Sequence, residues 1–143
     1  MTVIRVKSTA EVFDVYRIRY QASVIGQGIP QESEFDEQFG QTYPYLLIRN
    51  EQAPIATARL NFTNKAYAKI ERVAVSPKFQ GHGFGRQLIE AAEEWILELG
   101  FKKIVITSQL SAVEFYRSLG YQIGTLISDN AEIQTVYTEK QLV

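Results

Sequence analysis

Between residues 45 and 75 the chain alternates apolar runs with short polar breaks. Tyr45 to Arg49, Ile55 to Thr63 and Tyr67 to Val75 are rich in β-branched and aromatic residues, and Asn50-Glu51-Gln52 and Asn64-Lys65 separate them. The pattern predicts three strands joined by tight turns, an antiparallel meander. After Ser76-Pro77 the spacing changes: Leu88, Ile89, Ala92, Trp95, Ile96 and Leu99 fall three and four apart, which predicts an amphipathic helix closed by Gly100. Upstream, Val3 to Lys7 reads as a short strand. Ser8-Thr9-Ala10-Glu11 has the form of a capping box opening a helix with Val12, Val15, Tyr16 and Arg19 on one stripe and fading near Tyr20. Downstream, Lys103 to Ser108 is a buried-strand run, and Ser111-Ala112-Val113-Glu114 predicts a second capping box before a helix that Gly120 stops. Gly124 to Ser128 and Ile133 to Thr138 complete the strands, with Asp129-Asn130 as their turn.

The segment from 22 to 42 is the exception. It is rich in Gly, Gln, Glu and Pro, carries little periodicity, and predicts a long loop with one helical turn around Ser33 to Gln38, a length that is often functional. No repeat or linker interrupts the pattern, so residues 1–143 are expected to form one domain.

Composition narrows what such a domain does. Apolar residues are 45% and charged residues 22%, values of a soluble globular chain. A formal charge of -1 removes the basic field that nucleic acid or an anionic membrane needs, so neither partner is expected and any anion site is local. No apolar run approaches about 18 residues and no secretory pattern opens the chain, which predicts a cytoplasmic protein. With no cysteine and a single histidine, no thiolate nucleophile and no metal centre are expected.

The candidate chemistry lies in Gln80-Gly81-His82-Gly83-Phe84-Gly85, between the third meander strand and the amphipathic helix. Alternate glycines let the backbone turn and approach a ligand, and a helix N-terminus adds about half a positive charge, so the pattern predicts an anion cradle. Arg86 in the first turn would strengthen it. A P-loop is excluded because Arg86-Gln87, not Lys-Ser or Lys-Thr, follows Gly85, and the dinucleotide fingerprint lacks its third glycine.

Gln80-Gly81-His82-Gly83-Phe84-Gly85, preceded by Arg72-Val73-Ala74-Val75-Ser76-Pro77, resembles the Gln/Arg-x-x-Gly-x-Gly/Ala signature of the GNAT N-acetyltransferase superfamily. The run from Gln109 to Tyr121, with Phe115-Tyr116 and Gly120-Tyr121, is similar to that family's second motif, though Gln109 stands where asparagine is usual and Tyr121 where phenylalanine is common. Pro54 to Leu60 and the upstream Gln27-Gly28-Ile29-Pro30 with Glu32, Glu34 and Asp36 look like the small ElaA-like branch. The resemblance covers nearly the whole chain. It implies an α/β (α+β) fold with a mixed, mostly antiparallel sheet of six to seven strands and about four helices, splayed near Val75 to admit acyl-coenzyme A.

What the resemblance further implies is transfer of an acetyl group from acetyl-coenzyme A to a primary amine, on a small molecule or a peptide, by direct attack in a ternary complex. Val73, Ala74 and Val75 would hold the pantetheine arm, with backbone groups of Val73 and Val75 pairing to it as an added strand does. Gln80 and the amides of Gly81, His82, Gly83, Phe84, Gly85 and Arg86 would take the pyrophosphate, the His82 ring facing solvent or the donor rather than the chemistry. An amide near Val75 would stabilise the oxyanion. The side-chain amide of Gln109 can bond backbone or pantetheine. Tyr116 resembles the residue that protonates the departing thiolate, the alternative being a core aromatic.

Glu71 lies two residues before Val73, on the same face of a regular strand, as a general base through water or simply as an ion-paired carboxylate. Arg59 and the acidic residues from Glu32 to Glu37 suggest a polar or cationic acceptor, against the simpler reading of a solvated loop. Two other functions remain open at this point, a non-catalytic acyl-coenzyme A sensor and an acyl-homoserine-lactone synthase, the latter motivated by the acidic loop. A homodimer is an option only on the general frequency of dimers among enzymes.

Overall fold

The computed structural model describes residues 2–128 and 133–142, and the expected Asp129-Asn130 turn lies outside them. In chain order the elements are β1 (Val3–Arg5), α1 (Thr9–Arg19), α2 (Gln31–Glu34), β2 (Tyr45–Arg49), β3 (Pro54–Asn61), β4 (Ala68–Val75), α3 (Phe84–Glu98), β5 (Lys103–Gln109), α4 (Val113–Ser118), β6 (Gln122–Ser128) and β7 (Thr135–Gln141). The seven strands form one sheet in the order β1-β2-β3-β4-β5-β7-β6. Only β4 and β5 run parallel; the other neighbours are antiparallel. The mixed, mostly antiparallel sheet with four α-helices is as expected. β7 inserts between β5 and β6, so the strand-helix-strand unit of β5, α4 and β6 leaves its two strands parallel but not adjacent.

Local chemistry sets most of the boundaries. The first capping box is present, with Glu11 N donating to Ser8 Oγ at 3.2 Å and Ser8 N donating to Glu11 Oε1 at 3.1 Å. The second is not: Ser111 sits in a 3-10 turn over Leu110–Ala112, and α4 starts one residue later with no side-chain cap. The helical chain also does not stop at Tyr20. It continues as a π-helical turn over Tyr20–Ile25, which shifts the angular position of every later residue and erases the periodicity a sequence reader needs. The helical segment of the long loop lies at Gln31–Glu34 rather than Ser33 to Gln38.

The sheet is buried on both faces at β2 and β3, while β6 at its edge is largely exposed. On one, α3 lays Leu88, Ile89, Ala92 and Ile96 against Leu46, Ile48, Ala56, Ala58, Leu60 and Ile70, each such large side chain contributing roughly 1.5–3 kcal/mol on full burial. On the other, α1 packs Val15 and Ile18 against Tyr45, Leu47 and Ala74. Tyr121, where phenylalanine is common in the second motif, is buried with its hydroxyl donating to Glu93 at 2.7 Å. Lys140 balances that carboxylate at 3.1 Å, so the extra oxygen is not left unpaired.

Two irregularities near the middle of the sheet create the site. β4 and β5 pair only at Ala68–Ile104 and Lys69–Val105 and then separate, so the outer edge of β4 from Ile70 to Val75 has no strand beside it. The register between β3 and β4 also shifts by one between the pairs Arg59–Glu71 and Thr57–Ala74. Arg72 and Val73 thus stand opposite Ala58, a β-bulge, and Arg72 takes φ of 53°, the left-handed region that a side chain rarely adopts.

Candidate functional site

The space left where β4 and β5 part is a cleft of about 710 Å³. Its walls bring together the sequence-predicted Glu71, Val73, Ala74, Val75, Gln80, Gln109 and Tyr116. They add residues to which the sequence assigned no role, among them Ser23 and Gln27 from the segment after α1. Gly81 to Arg86 are not in the lining; they follow Gln80 directly and lead into α3.

On β4 the backbone is the functional surface. Ser76 N donates to Ile55 O at 2.8 Å, which makes that opposed pair a hydrogen-bonded one. In an antiparallel ladder such pairs alternate, so Val75, opposite Ala56, turns its N–H and C=O away from β3 and toward the cleft. Gln80 Nε2 donates to the Val75 carbonyl at 3.1 Å, which straps the start of the glycine loop to the strand and leaves the Val75 N–H facing the cleft. Val73 and Val75 pack their side chains into the core under α3.

The bulge corrects the expectation for Glu71. Opposed residues share a face, and Glu71 opposes Arg59 while Ala74 opposes Thr57, two residues along β3. Glu71 therefore shares the α1 face with Ala74, not the face of Val73. There Arg59 Nε donates to its Oε1 at 3.0 Å. Glu71 is thus an ion-paired carboxylate in the cleft wall, with its second oxygen not engaged in any hydrogen bond among the described residues.

The glycines divide by role. Gly81 and Gly83 have φ of 80° and 84°, and a Cβ on either would meet nothing within 4 Å, so the left-handed backbone alone calls for glycine and the space above them is open. A Cβ on Gly85 would lie 3.2 Å from the Phe115 ring, so this glycine lets α4 approach the start of α3. Gly83 is the N-cap of α3 and supplies no side-chain cap, which leaves the first amides of a 15-residue helix to an outside acceptor. His82 is exposed, and its Nδ1 lies 2.9 Å from Gln80 O and 3.2 Å from Phe79 O. Carbonyl oxygens only accept, so Nδ1 carries the hydrogen and the ring braces the loop.

Tyr116 lies at the far wall, 6% exposed and packed edge-on against Phe115 and Tyr121. Its hydroxyl has no hydrogen-bond partner among the described residues. Burial pushes the phenol up to about 12, so it stays protonated across the physiological range.

Within the acidic stretch Glu32 and Asp36 are exposed, whereas Glu34 is buried and Glu37 half-buried, and all but Glu32 of these are bound by arginines. Arg19, fully buried, binds Glu34 at 2.9 Å and Glu37, and Arg59, 5% exposed, binds Asp36 at 2.6 Å, Glu37 at 3.0 Å and Glu71 at 3.0 Å. Arg72 reaches Asp36 at 3.0 Å. Three arginines face four carboxylates in this network, and Lys69 in the cleft lining brings the cations to four as well. Desolvation pulls the Arg19 guanidinium down, but the bonds to Glu37 and Glu34 outweigh it and hold it above its usual value. Bonds from Arg59 hold Asp36 below the ordinary carboxylate range. Glu37 is also lowered, because Arg19 and Tyr45 outweigh the burial that would raise it. Sequence reading missed this network because it ties α1 to the strands through contacts far apart in the chain.

The sequence model of the acetyltransferase (GNAT) family matches residues 10–121. The chain belongs to that family. It is an acyltransferase of the GNAT fold, and solved relatives show the same architecture end to end. A Lactobacillus plantarum protein described as a "putative N-acetyltransferase" is 31% identical and superimposes with a TM-score of 0.91 over 99% of this chain and 98% of its own. Escherichia coli ElaA, at 17% identity, gives 0.80 over 97% of each chain. An aminoglycoside 6'-N-acetyltransferase complexed with coenzyme A, at 10% identity, also gives 0.80, over 100% of this chain and 98% of that one. At such identities the last two speak for the shared fold alone.

The depressed carboxylates of this GNAT chain fix the sign of its acid response. A lowered folded-state pKa stabilises the fold above the free value and loses that contribution as pH falls through the lowered one. Thermal unfolding is therefore expected to show Tm dropping as pH falls below about 4.5, with a smaller drop in Glu37→Gln; parallel curves for the two proteins would contradict the assignment.

Proposed function

We propose that this GNAT protein transfers an acetyl group from acetyl-coenzyme A to a primary amine by direct attack in a ternary complex. The observation that carries the reading is the open outer edge of β4 beside the cleft, continuous through Gln80 with the uncapped start of α3. An unpaired strand edge accepts the amides of a pantetheine arm as an added strand, and glycine-lined helix amides accept a pyrophosphate. The residues fit that donor: the edge is unpaired, and the space beside Gly81 and Gly83 is open.

Within this reading each group has a task that its surroundings permit. The Val75 N–H, facing the cleft, donates to the oxygen that becomes anionic as the amine nitrogen bonds to the thioester carbon. Glu71 takes the ammonium proton directly or through water, with Arg59 fixing its orientation. The carbon–sulfur bond then breaks beside Tyr116. A free thiol has a pKa near 8.5, so full proton transfer from a phenol at about 12 is uphill by roughly 5 kcal/mol. Tyr116 accordingly donates a hydrogen bond to the departing sulfur and keeps its proton. The Glu71 carboxylate in the cleft wall, with one oxygen not hydrogen-bonded among the described residues, gives an incoming ammonium a partner.

Isothermal calorimetry tests the donor site. Acetyl-coenzyme A is expected to bind in the micromolar range, ATP and NADH are not, and Gly83→Glu, which adds a carboxylate to a left-handed glycine, is expected to abolish binding with its circular dichroism unchanged. No heat with acetyl-coenzyme A would void the assignment. Tyr116→Phe is expected to lower kcat about 100-fold on any amine found in a screen, and the wild-type alkaline limb should stay flat past about pH 10. Unchanged kcat would make Tyr116 a packing residue.

A further inference from the structure

Both Gln27 and Gln109 line the cleft, and they bind each other across 82 residues of sequence. Gln27 Nε2 donates to Gln109 Oε1 at 2.9 Å, and Gln109 Nε2 donates back to Gln27 Oε1 at 3.1 Å. A primary amide has two N–H donors and an oxygen with two lone pairs. The reciprocal pair uses one donor and one lone pair from each residue. Gln109 is left with one N–H and one lone pair, in an orientation set by Gln27.

The pair is exposed, and an exposed hydrogen bond has little net worth unless its ends are already in place. Gln27 is in place. Its segment folds back on the π-helical turn through Gly28 N to Val24 O at 3.2 Å and Ile29 N to Ser23 O at 3.1 Å, with Gly28 at φ of 71° making the reversal. Gly26, just before it, sits with its Cβ position 3.2 Å from the Gln21 carbonyl, tight enough that a larger residue would disturb the turn. Gln109, at the other end of the pair, is the last residue of β5, held in the ladder opposite Thr135. Two preformed pieces of backbone therefore present the two amides to each other over the gap between the sheet and the segment after α1.

We infer that Gln27 is a positioning residue of the donor site: it holds the Gln109 amide with its free N–H and lone pair available to the pantetheine arm. The inference rests on the acyl-coenzyme A reading. The arm carries secondary amides, each with one donor and one acceptor, the same complement that Gln109 keeps. The edge of β4 serves the arm from one wall and Gln109 from the other.

The test is calorimetry of coenzyme A, and of its nucleotide half 3′-phosphoadenosine 5′-diphosphate, with wild type, Gln27→Ala, Gln27→Met, Gln109→Ala and the Gln27→Ala/Gln109→Ala double variant. Gln27→Ala is expected to weaken coenzyme A about three- to tenfold, the worth of one hydrogen bond, and to leave the nucleotide half unchanged. Gln27→Met, of similar length and without an amide to donate or accept, should weaken it as well and carries the test if alanine unsettles the turn. The double variant should match Gln109→Ala alone. Equal coenzyme A affinity in wild type and both Gln27 variants, an equal loss for the nucleotide half, or additive losses would each overturn the inference and leave the donor site standing. Failure of the wild type to bind coenzyme A would overturn both.

Discussion

Two strands that begin as hydrogen-bonded neighbours and part after Lys69 and Val105 leave a row of backbone groups in the middle of a buried sheet with no strand to pair with. Unpaired backbone inside a protein is costly, so such a gap persists only where something else satisfies it. Part of the answer is intramolecular: the Gln80 side chain donates to the Val75 carbonyl, and residues of α4 and of the segment after α1 line the gap. The remainder is the cleft. The donor reading follows from the same constraint, because a pantetheine arm is one of few ligands whose chemistry is that of a missing strand.

The gap needs rigid walls, and the arginine–carboxylate network supplies the one on the α1 face of the sheet. Arg19 and Arg59 come from α1 and β3, their carboxylates from the α2 region and β4, so four elements are fixed relative to one another. Such buried pairs add little net stability over apolar packing, yet removing one partner costs about 3–5 kcal/mol because the other charge stays buried. Their consequence here is geometric: Glu71 is held against the cleft by Arg59, and Asp36 bridges Arg59 and Arg72 across the bulge.

Much of this was legible in the residues. The meander, the α3 stripe and the glycine loop are local patterns whose spacing matches their structure, and Tyr116 falls in the cleft where its motif puts it. What was not legible has a common cause in long-range pairing. The bulge at Arg72 carries no glycine to announce it, so alternation along β4 put Glu71 on the wrong face. The π-helical turn hid a continued helix, and the acidic stretch looked like solvated loop because its arginine partners lie 15 to 36 positions away. Gln27 stood only in a family-like string until the fold set it against Gln109.

The claim that the β4 edge and the start of α3 hold acyl-coenzyme A is most directly tested by residue-resolved amide hydrogen exchange with and without coenzyme A. The account predicts slowed exchange at Val73, Val75 and the amides from Gly81 to Arg86, with β1 on the far edge of the sheet unchanged. Protection elsewhere, or none at these amides at saturating ligand, would contradict it.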